Sequence, residues 1–410
     1  MILAFRVSGL DGVSLEISHW KEILEKMGHK VTLMAGELDR GGLLLPELHF
    51  KWPHVYQIHE RVVSKADSFE DVERGVFTIA GKIEGKLREV LRRNGQIDVL
   101  IVANVFSLPM HFPLAVALAR IIEEYSIPTI AKHYDFWWER QRYLKSNLFK
   151  FFEKWFPPKL SQIKHVVINS IAQAELKRRF DISADIISDT FDFASGNYMK
   201  DSYSNHFRGD FKISEDEIVF LQPTRIVRRK RIELSIEFIK ALGDSQAVLV
   251  VAQNEGDEEL GYQKQLSELV KKANIKCRFI GDRVGFSRKI QGGRRIYNLW
   301  DCYLNADFVT YPTELEGFGN QFVETMYFKK PIILTPYAVF VADIAPLGFE
   351  TVVLPHAVTT EAVDQVKQLI KDKAIYQKMV EKNFLLAKSH FSYEIVEKKI
   401  EKLFNEMNLV

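Results

Sequence analysis

Short, nearly continuous apolar runs alternate along the chain with segments in which apolar residues recur every three or four positions. In the first half the apolar runs are ILAFRV (2–7), HKVTLMA (29–35), IDVLIVAN (97–104), IPTIAKH (127–133) and HVVINS (165–170). Between the first two runs, Ile17, Trp20, Leu24 and Met27 follow the helical period. Strands without polar alternation indicate a parallel sheet covered by helices on both faces. The first half is therefore predicted to form a doubly wound α/β domain.

The same alternation restarts after a polar and aromatic interval. Residues 189–211 have no sustained period, which indicates a linker or an irregular boundary. Beyond this interval the predicted strands are 217–222, 247–253, 275–281, 306–312, 330–336 and 350–355. A helix is predicted over 229–242, and the chain ends with a predicted amphipathic helix marked by Val396, Ile400 and Leu403. The predicted fold is α/β, with two facing, doubly wound, Rossmann-like parallel-sheet domains and a cleft between them.

Composition narrows the class of protein. The 410 residues include 56 Lys+Arg and 54 Asp+Glu, a formal net charge of +2, which gives no case for nucleic-acid binding. Two cysteines, Cys277 and Cys302, are too few for a disulfide framework, and this favours a cytoplasmic location. The start MILAFRVSGLDG lacks the features of a signal peptide, and no apolar run reaches 18 residues, so no membrane-spanning helix is expected.

One segment leaves a membrane-surface role open. Residues 147–160, NLFKFFEKWFPPKL, interleave five aromatic residues with three lysines. This composition is typical of a helix that lies on a membrane surface. The alternative is a helix that faces the protein core and ends at Pro157 and Pro158.

A basic cluster occupies the loop between the predicted strand 217–222 and the following helix. Five positive residues lie within seven positions: Arg225, Arg228, Arg229, Lys230 and Arg231. A strand-to-helix loop presents backbone N–H groups and the helix dipole to an anion, and Arg and Lys add charge-assisted hydrogen bonds. The cluster therefore predicts a diphosphate site. The alternatives are a solvated basic turn and nucleic-acid contact.

A second group of residues follows the predicted strand 306–312. In TELEGFGNQFVETM (313–326), Gly317 and Gly319 flank Phe318, and Asn320 is placed to cap the next helix. Glu316 and Glu324 lie eight positions apart, one in the loop and one on the helix. The pair of carboxylates around the glycines predicts a site for the hydroxyl groups of a sugar.

Two further groups follow predicted strands of the first half. SGLDGVS (8–14) contains Gly9 and Gly12 and is either a structural turn or a ligand-contacting loop. IAKHYDFWWERQR (130–142) places His133 at a strand end among aromatic and charged residues, which suits a carbohydrate. No two aspartates are separated by a single residue, and no His/Cys cluster has zinc spacing, so neither a metal nor another cofactor is expected.

Together these motifs resemble glycosyltransferase family 4, a group of retaining enzymes with the GT-B fold. The most specific mark is the Glu-x7-Glu pattern from Glu316 to Glu324, and Arg225 and Lys230 match the family's Arg-x4-Lys pair. The resemblance covers essentially the whole chain and is strongest over 217–350. It implies an acceptor-side domain over 1–200, a nucleotide-sugar-binding domain over 201–390, and a helix at 391–410 that packs back toward the first domain.

The resemblance also implies roles for individual residues. Arg225 and Lys230 would hold the donor diphosphate and stabilise the leaving group, Glu324 would bind the ribose, and Glu316 would contact the donor sugar. The remaining expected donor contacts are Phe318, Gly319, Asn320 and, from the first domain, Gly12. The family's catalytic-region histidine usually precedes an aspartate directly. Here Tyr134 separates His133 from Asp135, so either His133 or Tyr134 is expected to occupy that position.

The implied activity is metal-independent transfer of a hexose from a nucleotide-diphosphate sugar to a small hydroxyl acceptor, with retention at the anomeric carbon. The strings DFWWER and FVADIAPLGFE look like a subgroup that includes mannosylglucosylglycerate synthases. That resemblance implies GDP-mannose as donor and an anionic glycerate glycoside as acceptor, met by Arg140 and Arg142, and a donor of the UDP- or ADP-glucose type stays open from the sequence. Alternatives are a peripheral membrane glycosyltransferase with a lipid-linked acceptor and a non-catalytic two-domain sugar-binding protein.

Overall fold

The chain divides into two units in the computed structural model. The model describes residues 1–9, 12–64, 70–95, 97–144, 148–196, 198–255 and 261–409. Unit 1 comprises Met1–Ser188 together with Val396–Val410, and unit 2 comprises Asp189–Ile395. The predicted divisions were at residues 200 and 390. The segment after Ser188 belongs to unit 2 because Thr190 donates a hydrogen bond to the carbonyl of Phe391 at 2.7 Å and Phe191 packs on Tyr327.

Unit 1 is built on a parallel sheet. In the described part of the chain its seven strands run in the order β3-β2-β1-β4-β5-β6-β7, and all neighbours are parallel. The strands are β1 Ile2–Ala4, β2 Leu33–Ala35, β3 Leu43–Leu44, β4 Leu100–Ala103, β5 Thr129–His133, β6 Ile163–Val167 and β7 Ala184–Ile186. Crossover connections between parallel neighbours require helices on the faces of the sheet, which confirms the doubly wound prediction for this unit.

Helices cover both faces of this sheet. They are α1 Gly12–Lys26, α2 Pro53–His59, α3 Glu70–Asn94, α4 Phe112–Tyr125, α5 Gln141–Leu144, α6 Phe149–Trp155 and α7 Ser170–Phe180. The start of α4 is set by His111, whose Nδ1 accepts a hydrogen bond from the N–H of Leu114 at 3.1 Å while Nε2 faces the carbonyl of Glu47 at 2.9 Å. Both ring nitrogens of this buried histidine are therefore used in structure.

Unit 2 repeats the architecture with one strand fewer. Its six described strands in the main sheet have the order β10-β9-β8-β13-β14-β15, again with parallel neighbours. The strands of the unit are β8 Ile218–Gln222, β9 Ala247–Val251, β10 Lys276–Phe279, β11 Lys289–Gln291, β12 Arg294–Ile296, β13 Phe308–Tyr311, β14 Ile332–Leu334 and β15 Val352–Val353. Strands β11 and β12 form a separate antiparallel hairpin, which the sequence did not predict.

The helices of unit 2 lead into the carboxyl-terminal helix. They are α8 Phe207–Asp210, α9 Ile232–Leu242, α10 Tyr262–Ala273, α11 Leu299–Leu304, α12 Asn320–Tyr327, α13 Thr360–Lys371 and α14 Lys373–Phe391, followed by α15 Tyr393–Glu406. From Val396 onward α15 belongs to unit 1. There Lys399 donates to the carbonyl of Ile186 at 3.1 Å, and the Phe404 ring meets His29 edge-on at 5.3 Å.

Helix α6 belongs mainly to the core of unit 1. Phe152 and Phe156 are fully buried, Phe151 is nearly so, and these rings pack around Phe112. Phe149, in contrast, is 42% exposed. Most of the aromatic residues that motivated the membrane-surface hypothesis therefore stabilise the fold. Within the described ranges, no helix combines the length and the apolar character needed to cross a bilayer.

This division of roles within α6 predicts a difference in stability. Phe152→Ala should lower the free energy of unfolding by about 3–5 kcal/mol because it removes a fully buried ring from the core. Phe149→Ala, on the same helix, should change it by less than about 1 kcal/mol. Urea unfolding followed by circular dichroism measures both. Equal losses would contradict the assignment of Phe152 to the core and Phe149 to the surface.

Candidate functional site

The predicted chemistry of unit 2 gathers at one point of its sheet. Strand order reverses between β8 and β13, because the chain runs outward from β8 through β9 to β10 and returns to the other side of β8. In open parallel sheets, ligands bind outside the carboxyl ends of the strands at such a reversal. The loop after β8 carries Arg225 and Lys230, and the loop after β13 carries Glu316. Sheet topology therefore brings these two motifs together.

A buried polar network holds both loops in place where they leave the sheet. Gln222, the last residue of β8, accepts hydrogen bonds at its Oε1 from Ser235 of α9 and Thr310 of β13, both at 2.9 Å. Its amide nitrogen donates to Thr224 at 2.8 Å. Because Gln222 is completely buried, each of these bonds avoids an unsatisfied polar group, and together they hold the start of the basic loop against β13.

Lys230 and Glu316 form a nearly buried ion pair between the loops. Lys230 donates to Glu316 Oε1 in a very short contact, and the two side chains are 6% and 10% exposed. Thr313 donates to the same oxygen at 2.7 Å, and Arg229 lies 3.5 Å from Oε2. Arg229 also donates to the carbonyl of Leu315 at 2.9 Å. The carboxylate thus has a cation on each oxygen.

Burial and charge shift the pKa values of Lys230 and Glu316 in opposite directions. Burial lowers the pKa of Lys230 to about 8, against the attraction of Glu316, which raises it. Burial alone would raise the pKa of Glu316, but Lys230 and then Arg229 outweigh it, so this pKa lies below its ordinary value. Glu316 is therefore ionised at neutral pH and keeps a compensating cation beside it.

Tertiary contacts direct the five positive residues of the basic cluster to different partners. Arg229 and Lys230 face Glu316, as described. Arg228 turns to α10, where it donates to Gln265 at 3.0 Å and lies over the Tyr262 ring, and Arg231 donates to the carbonyl of His356 at 2.9 Å. Arg225 is half-buried, and no carboxylate of the described chain lies within ion-pair distance of it. Arg225 lies close enough to Lys230 for its charge to contribute to lowering the pKa of that ammonium.

The loop around Gly319 is shaped by two buried tyrosines. Gly319 has φ +114°, and a Cβ there would lie 2.9 Å from the hydroxyl of Tyr311 and 3.0 Å from that of Tyr337. Only glycine fits this conformation and space. Tyr337 donates to the carbonyl of Phe318 at 2.8 Å, and the Phe318 ring is buried against Phe391. The side chain of Phe318 therefore belongs to the core.

Helix α12 begins at Asn320 and carries Glu324. The sequence predicted Asn320 as the helix cap, but this is wrong, because Gly319 occupies the cap position and Asn320 is the first helical residue. Glu324, one turn on, is 2% exposed, and its Oε2 accepts a hydrogen bond of 2.7 Å from Tyr303. Tyr303 lies in α11, outside the motif, and no pattern in the sequence indicated it.

The predicted site residues of unit 1 differ in their positions and contacts. Gly12 is the first residue of α1, and the two residues before it lie outside the described ranges. Ser14 lies inside this helix and accepts a hydrogen bond from the N–H of Ser8 at 3.2 Å. Tyr134 places its ring 5.0 Å from the Lys132 ammonium.

His133, at the end of β5, is 1% exposed. Its Nε2 lies 3.0 Å from Nδ1 of His165, and the two rings are stacked. Burial, and then the neighbouring His165, hold the pKa of His133 well below its ordinary value. It is therefore neutral at physiological pH, and its Nε2 is engaged within the protein.

No group of three or more His, Cys, Asp or Glu residues that could hold a metal ion occurs in the described part of the chain. The carboxylates of the candidate site are instead held by cations and hydroxyl groups. Glu316 is paired with Lys230 and Arg229, and Glu324 is bonded to Tyr303.

Comparison with known proteins identifies the class to which this fold and site belong. A family model described as "Glycosyl transferases group 1" matches residues 204–385, the unit that carries the candidate site. The sucrose-phosphate synthase structure from Thermosynechococcus elongatus matches with a TM-score of 0.69 at 13% identity, covering 99% of each chain. Anabaena HepE in complex with UDP and glucose matches with a TM-score of 0.65 at 14% identity, covering 98% of this chain and 99% of that one. The fold is the α/β fold of the GT-B glycosyltransferases.

Curated sequence relatives support the same class of protein. A mannosylglucosylglycerate synthase of Thermotoga maritima is 32% identical over 97% of each chain. One of Petrotoga mobilis is 33% identical over 86% of each. The chain belongs to the group 1 glycosyltransferases and is a hexosyltransferase. The resemblance found in the motifs is thereby confirmed, and the non-catalytic alternative is set aside.

The Lys230–Glu316 pair generates a prediction about stability. Glu316→Gln should lower the free energy of unfolding by about 3 kcal/mol because it leaves a buried ammonium without its counterion. The double variant Lys230→Met with Glu316→Gln should lose less than the sum of the single variants, by roughly 1–3 kcal/mol. Denaturant unfolding of the four proteins measures this coupling. Additive losses would show that the two side chains do not interact in solution.

Proposed function

We propose that this enzyme is a retaining glycosyltransferase that moves mannose from GDP-mannose to a small glycerate glycoside, without a metal ion. The observation that carries the proposal is the meeting of Lys230 with Glu316 at the reversal point of the unit 2 sheet. Two relatives that match over most of their length are named mannosylglucosylglycerate synthases, and this supports the donor sugar and the acceptor.

The donor diphosphate is assigned to Arg225 and Lys230. When the bond between the sugar and the diphosphate breaks, negative charge develops on the leaving phosphate oxygens. Fixed cations in a water-poor site stabilise that charge without having to reorganise. Lys230 suits this role because it is nearly buried and held in place, and the half-buried Arg225 adds a guanidinium that can bind two phosphate oxygens.

The carboxylates are assigned to hydroxyl groups of the donor. Glu316 would accept hydrogen bonds from the sugar and Glu324 from the ribose, while Gly319 and Asn320 bring backbone N–H groups of the α12 start close to the sugar and phosphate. Gly12 is assigned to the diphosphate from unit 1. Phe318 contributes its backbone, since its ring is buried in the core.

The proposed chemistry is a front-face displacement in which the donor phosphate takes the acceptor proton. Retention is the stereochemical consequence, because the acceptor enters on the face that the phosphate leaves. Glu316 is held by two cations, and these contacts favour sugar binding over nucleophilic attack by this carboxylate. His133 or Tyr134 remains assigned to the family's catalytic-region histidine position, with Arg140 and Arg142 for the carboxylate of a glycerate group. Arg140 is paired with Asp135 at 3.0 Å, whereas Arg142 lies over the ring of Tyr143.

Product analysis tests this proposal. With GDP-mannose and glucosylglycerate, we expect one mannosyl product whose anomeric configuration equals that of the donor, observed by NMR. The rate should be unchanged in EDTA. UDP- and ADP-glucose serve as competing donors. Transfer only from one of these, an inverted product, or complete loss of activity in EDTA would each overturn the corresponding part of the proposal.

Charge at position 230 generates a further prediction. Lys230→Ala should lower kcat by roughly 10²–10³, the usual effect of removing one group that stabilises transition-state charge. Arg228→Ala removes a cation two positions away that faces α10, and it should leave kcat within about threefold. Steady-state kinetics at saturating donor compares the two variants, with thermal unfolding as a check of folding. Equal effects would show that the whole basic loop, rather than Lys230, stabilises the leaving group.

A further inference from the structure

Tyr303 lies outside both sequence motifs, yet it contacts the carboxylate assigned to the ribose. Its hydroxyl donates to Glu324 Oε2 at 2.7 Å, and both residues are nearly or fully buried. The same hydroxyl lies 3.5 Å from the carbonyl of Gln321, which precedes Glu324 on α12 by almost one turn. A single side chain of α11 thus defines where one oxygen of this carboxylate sits.

The position of the Tyr303 hydroxyl is set by the scaffold. The ring stacks on Phe328 at 5.0 Å with the planes 5° apart. Helix α11 is capped by Asn298, which exchanges hydrogen bonds with Asp301 at 3.0 Å in both directions. Asp301 in turn accepts from Nε of Arg288. These contacts fix the ring and the start of its helix, so the hydroxyl is held independently of Glu324.

The Tyr303 hydroxyl also acts only as a hydrogen-bond donor toward Glu324. Burial first, and then the adjacent Glu324 carboxylate, raise the pKa of Tyr303 well above its ordinary value. The phenol therefore keeps its proton at any physiological pH and donates a hydrogen bond to the carboxylate. Because the ring is fixed, this bond orients the carboxylate group.

We propose that Tyr303 is a positioning residue that orients Glu324 toward the ribose hydroxyls of the donor and so gives the site its preference for ribonucleotides. The inference rests on the proposed function in that Glu324 binds the ribose. Tyr303 acts through Glu324 and touches neither the sugar that is transferred nor the phosphates. Its removal should therefore change donor binding rather than turnover.

The test compares ligands that differ only in the ribose. Titration calorimetry uses whichever of GDP, UDP and ADP the wild-type protein binds most tightly, together with its 2′,3′-dideoxy form. Wild type should bind the ribose form more tightly. Tyr303→Phe keeps the stacked ring and removes the hydroxyl, and it should reduce that preference about tenfold, as expected for a lost hydrogen bond to a charged group. Binding of the dideoxy form and kcat at saturating donor should stay within about threefold.

A matched control is available within the same unit. Tyr297 is also buried and donates to a carboxylate, Asp210 Oδ2, at 2.8 Å, but it lies outside the candidate site. Tyr297→Phe should leave the ribose preference unchanged. In the Glu324→Ala background, Tyr303→Phe should have no additional effect, because the carboxylate through which it acts is gone.

The possible outcomes distinguish the positioning role of Tyr303 from the ribose-binding role of Glu324. If Glu324→Ala abolishes the preference but Tyr303→Phe preserves it, the positioning role is wrong and the ribose role of Glu324 stands. If Tyr303→Phe weakens both ligands equally, Tyr303 is only structural and the inference is overturned. If Glu324→Ala preserves the preference, or no nucleotide binds, the assignment of Glu324 itself fails and the inference fails with it.

Discussion

Lys230 and Glu316 lie 86 positions apart in the sequence, and their contact is the constraint on which the candidate site depends. An ammonium and a carboxylate that are both nearly buried are tolerated only as a pair, because either charge alone would be costly to remove from water. The pair therefore holds the loop after β8 against the loop after β13. Arg229 and Thr313 add further contacts to the carboxylate. The candidate site is thus assembled from groups that first satisfy one another.

The surroundings of this pair are built from buried hydroxyl and amide groups. Gln222 joins β8, β13 and α9, Tyr337 holds the carbonyl of Phe318, and Tyr303 holds Glu324. Each bond connects the site to an element of the sheet or of a helix behind it. Buried polar groups of this kind rigidify a site because breaking any one of them leaves an unsatisfied partner. Glu324 of the candidate site is thereby held by a side chain of α11 that lies outside the motif.

Unit 1 also contains buried polar side chains that pair with one another. Lys132 and Glu16 form a buried pair at 3.5 Å, with the Lys132 ammonium 4.4 Å from the Trp20 ring. His133 faces His165 one strand away. At neutral pH this histidine carries no charge, because burial holds its pKa well below the ordinary value. Farther along the chain, the half-buried Arg140 is paired with Asp135, and the exposed Arg142 lies over the Tyr143 ring.

Much of this protein could be predicted from sequence alone. Continuous apolar runs gave the parallel sheets, because strands covered on both faces have no polar alternation. The strands are shorter than those runs, as β1 shows, since apolar residues continue into the buried loops. The Glu316–Glu324 and Arg225–Lys230 spacings gave the family, because they reflect a loop and a helix turn that are local in sequence. The hairpin of β11 and β12 was not predicted, because its exposed basic residues lack an apolar pattern.

Only the tertiary structure could place Phe152 inside and Phe149 outside, turn Arg228 away from Lys230, and bring Tyr303 to Glu324. These outcomes depend on which surfaces other elements cover, and residues distant in the chain determine that.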